Sequence, residues 1–202
     1  MGYIWKPKGV RRTRQYIKAM KKIIEPPFTD ALLASLKAGE MYYITGTIYT
    51  ARDAAHQRLC EMIDRGEDMP FDFNGQAVYY AGPCPAKPGQ PIGSVGPTTG
   101  GRMDAYSPLL ISKGLKVMIG KGSRHHSVVD AMKKYTGVYF AAIGGAAALM
   151  GKSVKSAKVI AFEDLGPEAI RELYVEELPV IVAIDSRGNN SYEQGMAEYA
   201  QE

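Results

Sequence analysis

Residues 94–108 read SVGPTTGGRMDAYSP, and few stretches of the chain hold so many special residues. Thr98-Thr99 stand between Pro97 and Gly100-Gly101, and Arg102 follows at once. Glycines let backbone N–H groups approach a ligand closely. The N-terminus of a following helix favours an anion. Arg102 can grip a carboxylate through two parallel hydrogen bonds. Thr98 or Thr99 can bond a ligand oxygen, or only cap the turn. The chemistry implied is closure around an anion; the plain alternative is a Gly-rich loop with capping threonines.

Two other stretches share this character. In TARDAAH (50–56) a strand hands over to a helix, which places Arg52 in the first helical turn. Free N–H groups and the positive dipole end already lie there. A cation is mildly unfavourable at that place unless an anion binds or Asp53 offsets it; the plain reading is a surface arginine paired with Asp53. In IGKGSRHH (119–126) Lys121 lies between two glycines, a poor place for a side chain used only in packing. That loop also ends a strand and precedes a helix. In α/β sheets, ligands sit outside the carboxyl ends of the parallel strands. Arg52, Arg102 and Lys121 can therefore converge on one small polyanion.

Other chemistry is poorly supported. IGGAAALMGKS (143–153) falls one residue short of a phosphate loop, because residue 146, where the first glycine should stand, is alanine. A close-packed turn and helix of small residues is expected instead. His56, His125, His126, Cys60 and Cys84 lack zinc-ligand spacing. An iron–sulfur cluster usually takes three or four cysteines. The chain has two, so any cluster must come from another chain. No Ser-His-Asp order stands out.

The elements that must carry these loops follow from periodicity. TDALLASLKAGE reads as a short helix capped by Thr29 or Asp30 and ended by Gly39. MYYITGTIYT (41–50) reads as a strand and 51–66 as a helix that buries Ala55, Leu59, Met62 and Ile63 and stops at Gly66. Strands are expected at 76–82, 115–120, 137–144, 156–163 and 178–185. Helices are expected at about 105–113, 127–135 and 166–173, and from about Ser191. Strand–helix alternation argues an α/β domain with a mainly parallel central sheet, and the less regular early strands suggest a second sheet.

At 202 residues, with 46% hydrophobic and 23% charged residues, one globular domain with a real core is expected over 28–202. Residues 1–27 form a basic arm. Its first 22 residues hold eight Lys or Arg and no acid, although the net charge is only +4. Tyr16, Ile17, Met20, Ile23 and Ile24 give the arm an apolar stripe at helical spacing, and Pro26-Pro27 would end the helix. Such an arm suits an acidic partner surface, nucleic acid or plain solvent. Two cysteines, no apolar leader and no long apolar run fit a cytoplasmic protein.

GTIYTARDAAH, YYAGPCPAKPG, GPTTGGRMD, MIGKG, IGGAAAL and EDLGPEAI occur in this order. Together they resemble the β subunit of two-subunit class I fumarases, the C-terminal domain of the single-chain forms, and the related L-tartrate dehydratase β subunit. The resemblance runs from about 28 to 190 and leaves the arm out. It implies a hydro-lyase interconverting L-malate and fumarate. It implies a [4Fe–4S] cluster held by three cysteines of a partner α subunit, with the fourth iron acting on substrate as a Lewis acid. It implies a heteromer, a heterotetramer or larger, with a homodimer of this chain alone as the alternative. It matches Arg52, Arg102 and Lys121 to substrate-carboxylate ligands and Thr98 to the base that removes the C3 proton. Thr99 and Asp104 lie in the motif without a catalytic role. Gly100 departs from the pattern, where alanine or serine is expected. The implied fold is a swivelling β/β/α type, with a parallel sheet, an antiparallel sheet and a helical layer. A tartrate dehydratase subunit and a non-catalytic anion-binding scaffold are the alternatives.

Overall fold

The computed structural model describes residues 21–142 and 147–199. The motif IGGA at 143–146 and the arm up to residue 20 lie outside the described residues. Along the chain run β1 (Ile23–Ile24), α1 (Asp30–Ser35), β2 (Met41–Thr50), α2 (Asp53–Arg65), β3 (Ala77–Tyr79), α3 (Ser107–Ser112), β4 (Val117–Gly120), α4 (His126–Tyr135), β5 (Val138–Ala141), α5 (Ala147–Ser153), β6 (Val154–Ala161), β7 (Ile170–Ile184) and α6 (Ser191–Tyr199). Short 3₁₀ segments occupy Gly100–Met103 and Glu163–Glu168.

The strands form one mixed sheet of seven, in the order β1-β2-β3-β4-β5-β7-β6. β1 to β5 pair in parallel. β7 runs antiparallel to β2, β5 and β6. The expected parallel and antiparallel sheets are therefore joined. β2 pairs with both β3 and β7, and β7 also pairs with β5, so the ladder β2-β3-β4-β5-β7 closes on itself. Closure protects the long hydrophobic β2, which would otherwise expose an edge.

Two cores follow from the period-2 alternation of the parallel strands. One face (Ala77, Tyr79, Val117, Ile119, Val138 and Phe140) packs with the apolar residues of β2 and β7 and with Leu33, Leu36 and Met150. The other face (Val78, Met118 and Tyr139) packs under the helices, against Ala55, Leu59, Leu110, Ile111, Val128 and Met132. A one-residue slip in β4 would exchange these faces. Burying a leucine such as Leu59 contributes about 2 kcal/mol, and it is fully buried.

Sequence and structure part company in several elements. Ile23 and Ile24, expected on a helical arm, form β1 and pair parallel with Tyr43 and Ile44. Their β-branched side chains and the nearby Pro26 favour the extended chain. The helix expected at 166–173 is absent. Gly166 adopts φ 56 and ψ −114, outside helical space, and breaks the 3₁₀ segment. β7 then starts at Ile170 and runs 15 residues, absorbing the separate strand expected at 178–185. Pro179 fits this strand because Tyr43, its partner, donates its N–H to Lys22 on the opposite side. The helix expected at 105–113 begins at Ser107, after the 3₁₀ turn. No described helix is long and apolar enough to cross a membrane.

Candidate functional site

The closed ladder aligns the carboxyl ends of β2, β3 and β4. Thr50 pairs with Tyr79 and Tyr79 with Ile119, so the chain leaves all three strands at one rim. Arg52 leaves β2 there and Lys121 leaves β4 there. The segment 97–100 returns to the same rim. Ala81 bridges Pro97, and the Thr98 N–H donates to the Tyr80 carbonyl at 2.6 Å. Thr98 then joins the Lys121 loop directly. The Lys121 N–H donates to the Thr98 carbonyl at 3.2 Å, and the Gly100 N–H to the Lys121 carbonyl at 2.7 Å. All four expected residues thus lie at one end of the sheet.

Arg52 differs from expectation in detail. It is the N-cap residue of α2, with extended backbone, rather than a residue of the first turn. Its guanidinium pairs with Glu168 at 3.4 Å, not with Asp53. Glu168 also accepts the Ala54 N–H at 3.1 Å, so one carboxylate caps α2 and holds Arg52. Gly82 makes room for this arginine: a Cβ there would lie 2.7 Å from Arg52 Nη1 and 3.1 Å from the Pro167 carbonyl oxygen. Asp53 instead accepts the Arg102 Nε–H at 2.8 Å. The Arg102 side chain is half exposed, and its terminal nitrogens, like Lys121 Nζ and the Thr98 hydroxyl, have no partner among the described residues.

Below the rim lies a buried polar seam that the sequence reading missed. The Arg124 side chain is fully buried and donates from Nε to Asp104 at 2.6 Å and from Nη2 to Ser107 at 2.8 Å. It stacks on Tyr139 and Tyr80, at 4.7 and 5.4 Å from their ring centres. Asp104 spans two loops, because its other oxygen accepts the His125 N–H at 2.6 Å. Within GSRHH nothing marks Arg124 as buried; its partner Asp104 stands 20 residues away.

His56 is wholly buried beside Tyr80 and Tyr106. Its Nδ1 faces the Arg52 carbonyl at 2.9 Å, which assigns the proton to Nδ1. Burial holds its pKa down at about 4, so the ring is neutral near pH 7.

Buried side-chain atoms without a partner are rare in folded proteins and call for a reason. Among the described residues they are Arg52 Nε, Asp53 Oδ2, His56 Nε2 and Tyr139 Oη. The first three belong to the start of α2, and Tyr139 packs against Arg124 below the same rim. Unused hydrogen-bonding capacity is thus gathered at the start of α2 and beside Arg124. A cleft of about 430 Å³ separates the 84–94 loop from α5.

The chemistry available is anion binding through Arg52, Arg102 and Lys121 beside an unengaged hydroxyl. No three His, Cys, Asp or Glu side chains among the described residues converge on a metal-sized site. Cys60 lies half-buried in α2, where burial raises its thiol pKa, and Cys84 lies on an exposed loop. This chain's described residues therefore do not form a cage for an iron–sulfur cluster.

Residues 6–195 match the family model described as the fumarase C-terminus. The chain belongs to the fumarase C-terminus family. It is 38% identical over 205 residues to the anaerobic class I fumarate hydratase of Escherichia coli, covering 95% of this chain and 37% of that protein. It is 40% identical to fumarate hydratase 2 of Leishmania major, over 82% of this chain and 29% of that protein. The chain thus spans about a third of the length of these fumarate hydratases. The β subunit of the L(+)-tartrate dehydratase of Escherichia coli is 35% identical, with 85% of this chain and 86% of that subunit covered. Fumarase C-terminus membership agrees with the resemblance carried by the ordered motifs, but the match begins at residue 6 and so takes in most of the arm that the resemblance left out.

Proposed function

We propose that this chain is the β subunit of a two-subunit class I fumarase, a hydro-lyase interconverting L-malate and fumarate. In this reading a partner α subunit carries the [4Fe–4S] cluster, and this chain holds and deprotonates the substrate. One observation carries the reading: three cations, two just past strand ends and one on the 3₁₀ turn after Thr98-Thr99, share a rim with a threonine whose hydroxyl is unengaged among the described residues. Malate is a dianion, and cations on separate loops can neutralise it and fix its orientation. Arg102 presents its terminal nitrogens to one carboxylate. Arg52 and Lys121 supply positive charge for the other and for charge that builds up beside it on removal of the C3 proton. Thr98 takes that proton. A threonine hydroxyl is a weak base, so the neighbouring cations must favour its alkoxide.

A second reading, a tartrate dehydratase β subunit, is favoured by the close match in extent to the Escherichia coli subunit of that name. Tartrate differs from malate by one more hydroxyl, so the same cations would serve. Reconstitution with the α subunit and assay of both acids decides between them. Malate turnover is expected, and tartrate turnover without malate turnover overturns the fumarase reading. Thr98→Ala should lower kcat by about 10²–10⁴ with little change in KM. Arg102→Ala should chiefly raise KM. Unchanged kcat in Thr98→Ala would leave this chain as a scaffold.

A further inference from the structure

We infer that Asp104 and Arg124 form a buried latch that fixes the Thr98–Arg102 loop against the Lys121 loop, making both positioning residues. The inference rests on the proposed function for its catalytic consequence, though not for its structural one. Each Asp104 oxygen serves the opposite loop: one accepts Arg124 Nε–H and the other the His125 N–H, both at 2.6 Å. Arg124 in turn supports the backbone of the first loop. A Cβ at Gly100 would lie 2.8 Å from Arg124 Cδ and 2.5 Å from Tyr139 Oη, so the glycine rests directly on these side chains. Gly100 closes the ring by donating its N–H to the Lys121 carbonyl. Ser107, at the start of α3, accepts from Arg124 Nη2 and so ties the latch to the helical layer.

The energetics favour a geometric role over a stabilising one. Taking both charges out of water costs much of what their attraction returns, and an apolar pair of similar volume often holds a fold as well. An apolar pair cannot, however, direct two loops to one carboxylate. The directional bonds of a planar guanidinium can. The Arg124 side chain is 0% exposed and that of Asp104 14%, so the pair itself lies beneath the surface that meets substrate.

The test uses the full chain carrying Asp104→Leu with Arg124→Met, and Asp104→Asn as a milder second variant. Amide hydrogen exchange is read at Gly100 and Lys121, whose N–H groups join the loops. Their exchange should accelerate about tenfold or more, reporting local opening. The Val138 amide, bonded across the β4–β5 ladder, should stay protected. Unchanged protection at Gly100 and Lys121 overturns the latch. In the reconstituted enzyme the double variant should raise KM for malate at least about tenfold with near-wild-type thermal unfolding. Faster exchange with unchanged KM overturns the positioning role. Wild-type enzyme without malate turnover refutes the proposed function instead, and the exchange data still decide the latch.

Discussion

Arg102 donates its Nε–H to Asp53 at 2.8 Å, and neither terminal nitrogen of the guanidinium has a partner among the described residues. The arrangement turns a half-exposed, rotamer-rich side chain into a directed fork. Asp53→Ala should therefore raise KM for malate about tenfold, the worth of one charged hydrogen bond. Asp53→Asn should recover most of the loss, since its amide oxygen can accept the same N–H. Steady-state kinetics of the two reconstituted variants check this. Equal losses would show that charge, and not direction, is what Asp53 supplies.

Gly82 is the corresponding device for Arg52. Its backbone is open to other residues, because it is absent from the positive-φ glycines. Gly82→Ala should thus fold normally yet displace the guanidinium, since the added carbon would meet Arg52 Nη1 and the Pro167 carbonyl oxygen. A rise in KM with thermal unfolding within a few degrees of wild type is expected; an unchanged KM would remove Arg52 from substrate binding.

Glu168 should matter to stability through α2. Its Oε2 accepts the Ala54 N–H near the start of a 13-residue helix. Glu168→Ala should cost about 1 kcal/mol, the usual worth of an N-terminal cap, and Glu168→Gln less. Chemical denaturation of the three chains measures the difference, and equal stability of Glu168→Ala and wild type would contradict the capping role.

His56 makes stability depend on pH. Its folded pKa, about 4, lies below the ordinary 6.5 because the ring is buried. Above pH 6.5 neither state holds the extra proton. Between pH 6.5 and 4 the unfolded chain binds it and the folded chain does not. Stability is therefore full above about pH 6.5 and falls toward pH 4, by on the order of 3 kcal/mol. Denaturation midpoints across this range should show the fall in wild type and a shallower one in His56→Phe. Parallel curves would show that other groups govern the acid limb.

Much of this site is readable in the chain, for physical reasons that differ by residue. Arg52 and Lys121 announce themselves because a cation at a strand-to-helix junction, or between two glycines, has little packing value. β2 is readable because its β-branched and aromatic run coincides with Met41–Thr50. The residues that support the cations are not readable in this way. Asp53 looks like the natural partner of its neighbour Arg52 but serves Arg102, 49 residues on. Glu168 reaches Arg52 from the turn before β7, and no local pattern links them. The start of β7 is hidden because GPEAIREL has helical composition. Gly166 and the alternation of buried Leu173, Val175, Leu178, Val180 and Val182 identify the strand only once the whole run is read as one element.

The closed ladder has a consequence for how the chain is made. β2 is complete by residue 50, but its partner β7 lies far downstream; Thr50 accepts the Arg171 N–H across 121 residues. During synthesis from the N-terminus, the ring cannot seal until β7, which ends at Ile184, has left the ribosome. Until then β2 and β5 offer unpaired hydrophobic edges to any neighbouring nascent chain. Pairings so distant in sequence form slowly. The rim that gathers Arg52, Thr98 and Lys121 is assembled from early and middle segments, yet it is held in shape by the strand that emerges last.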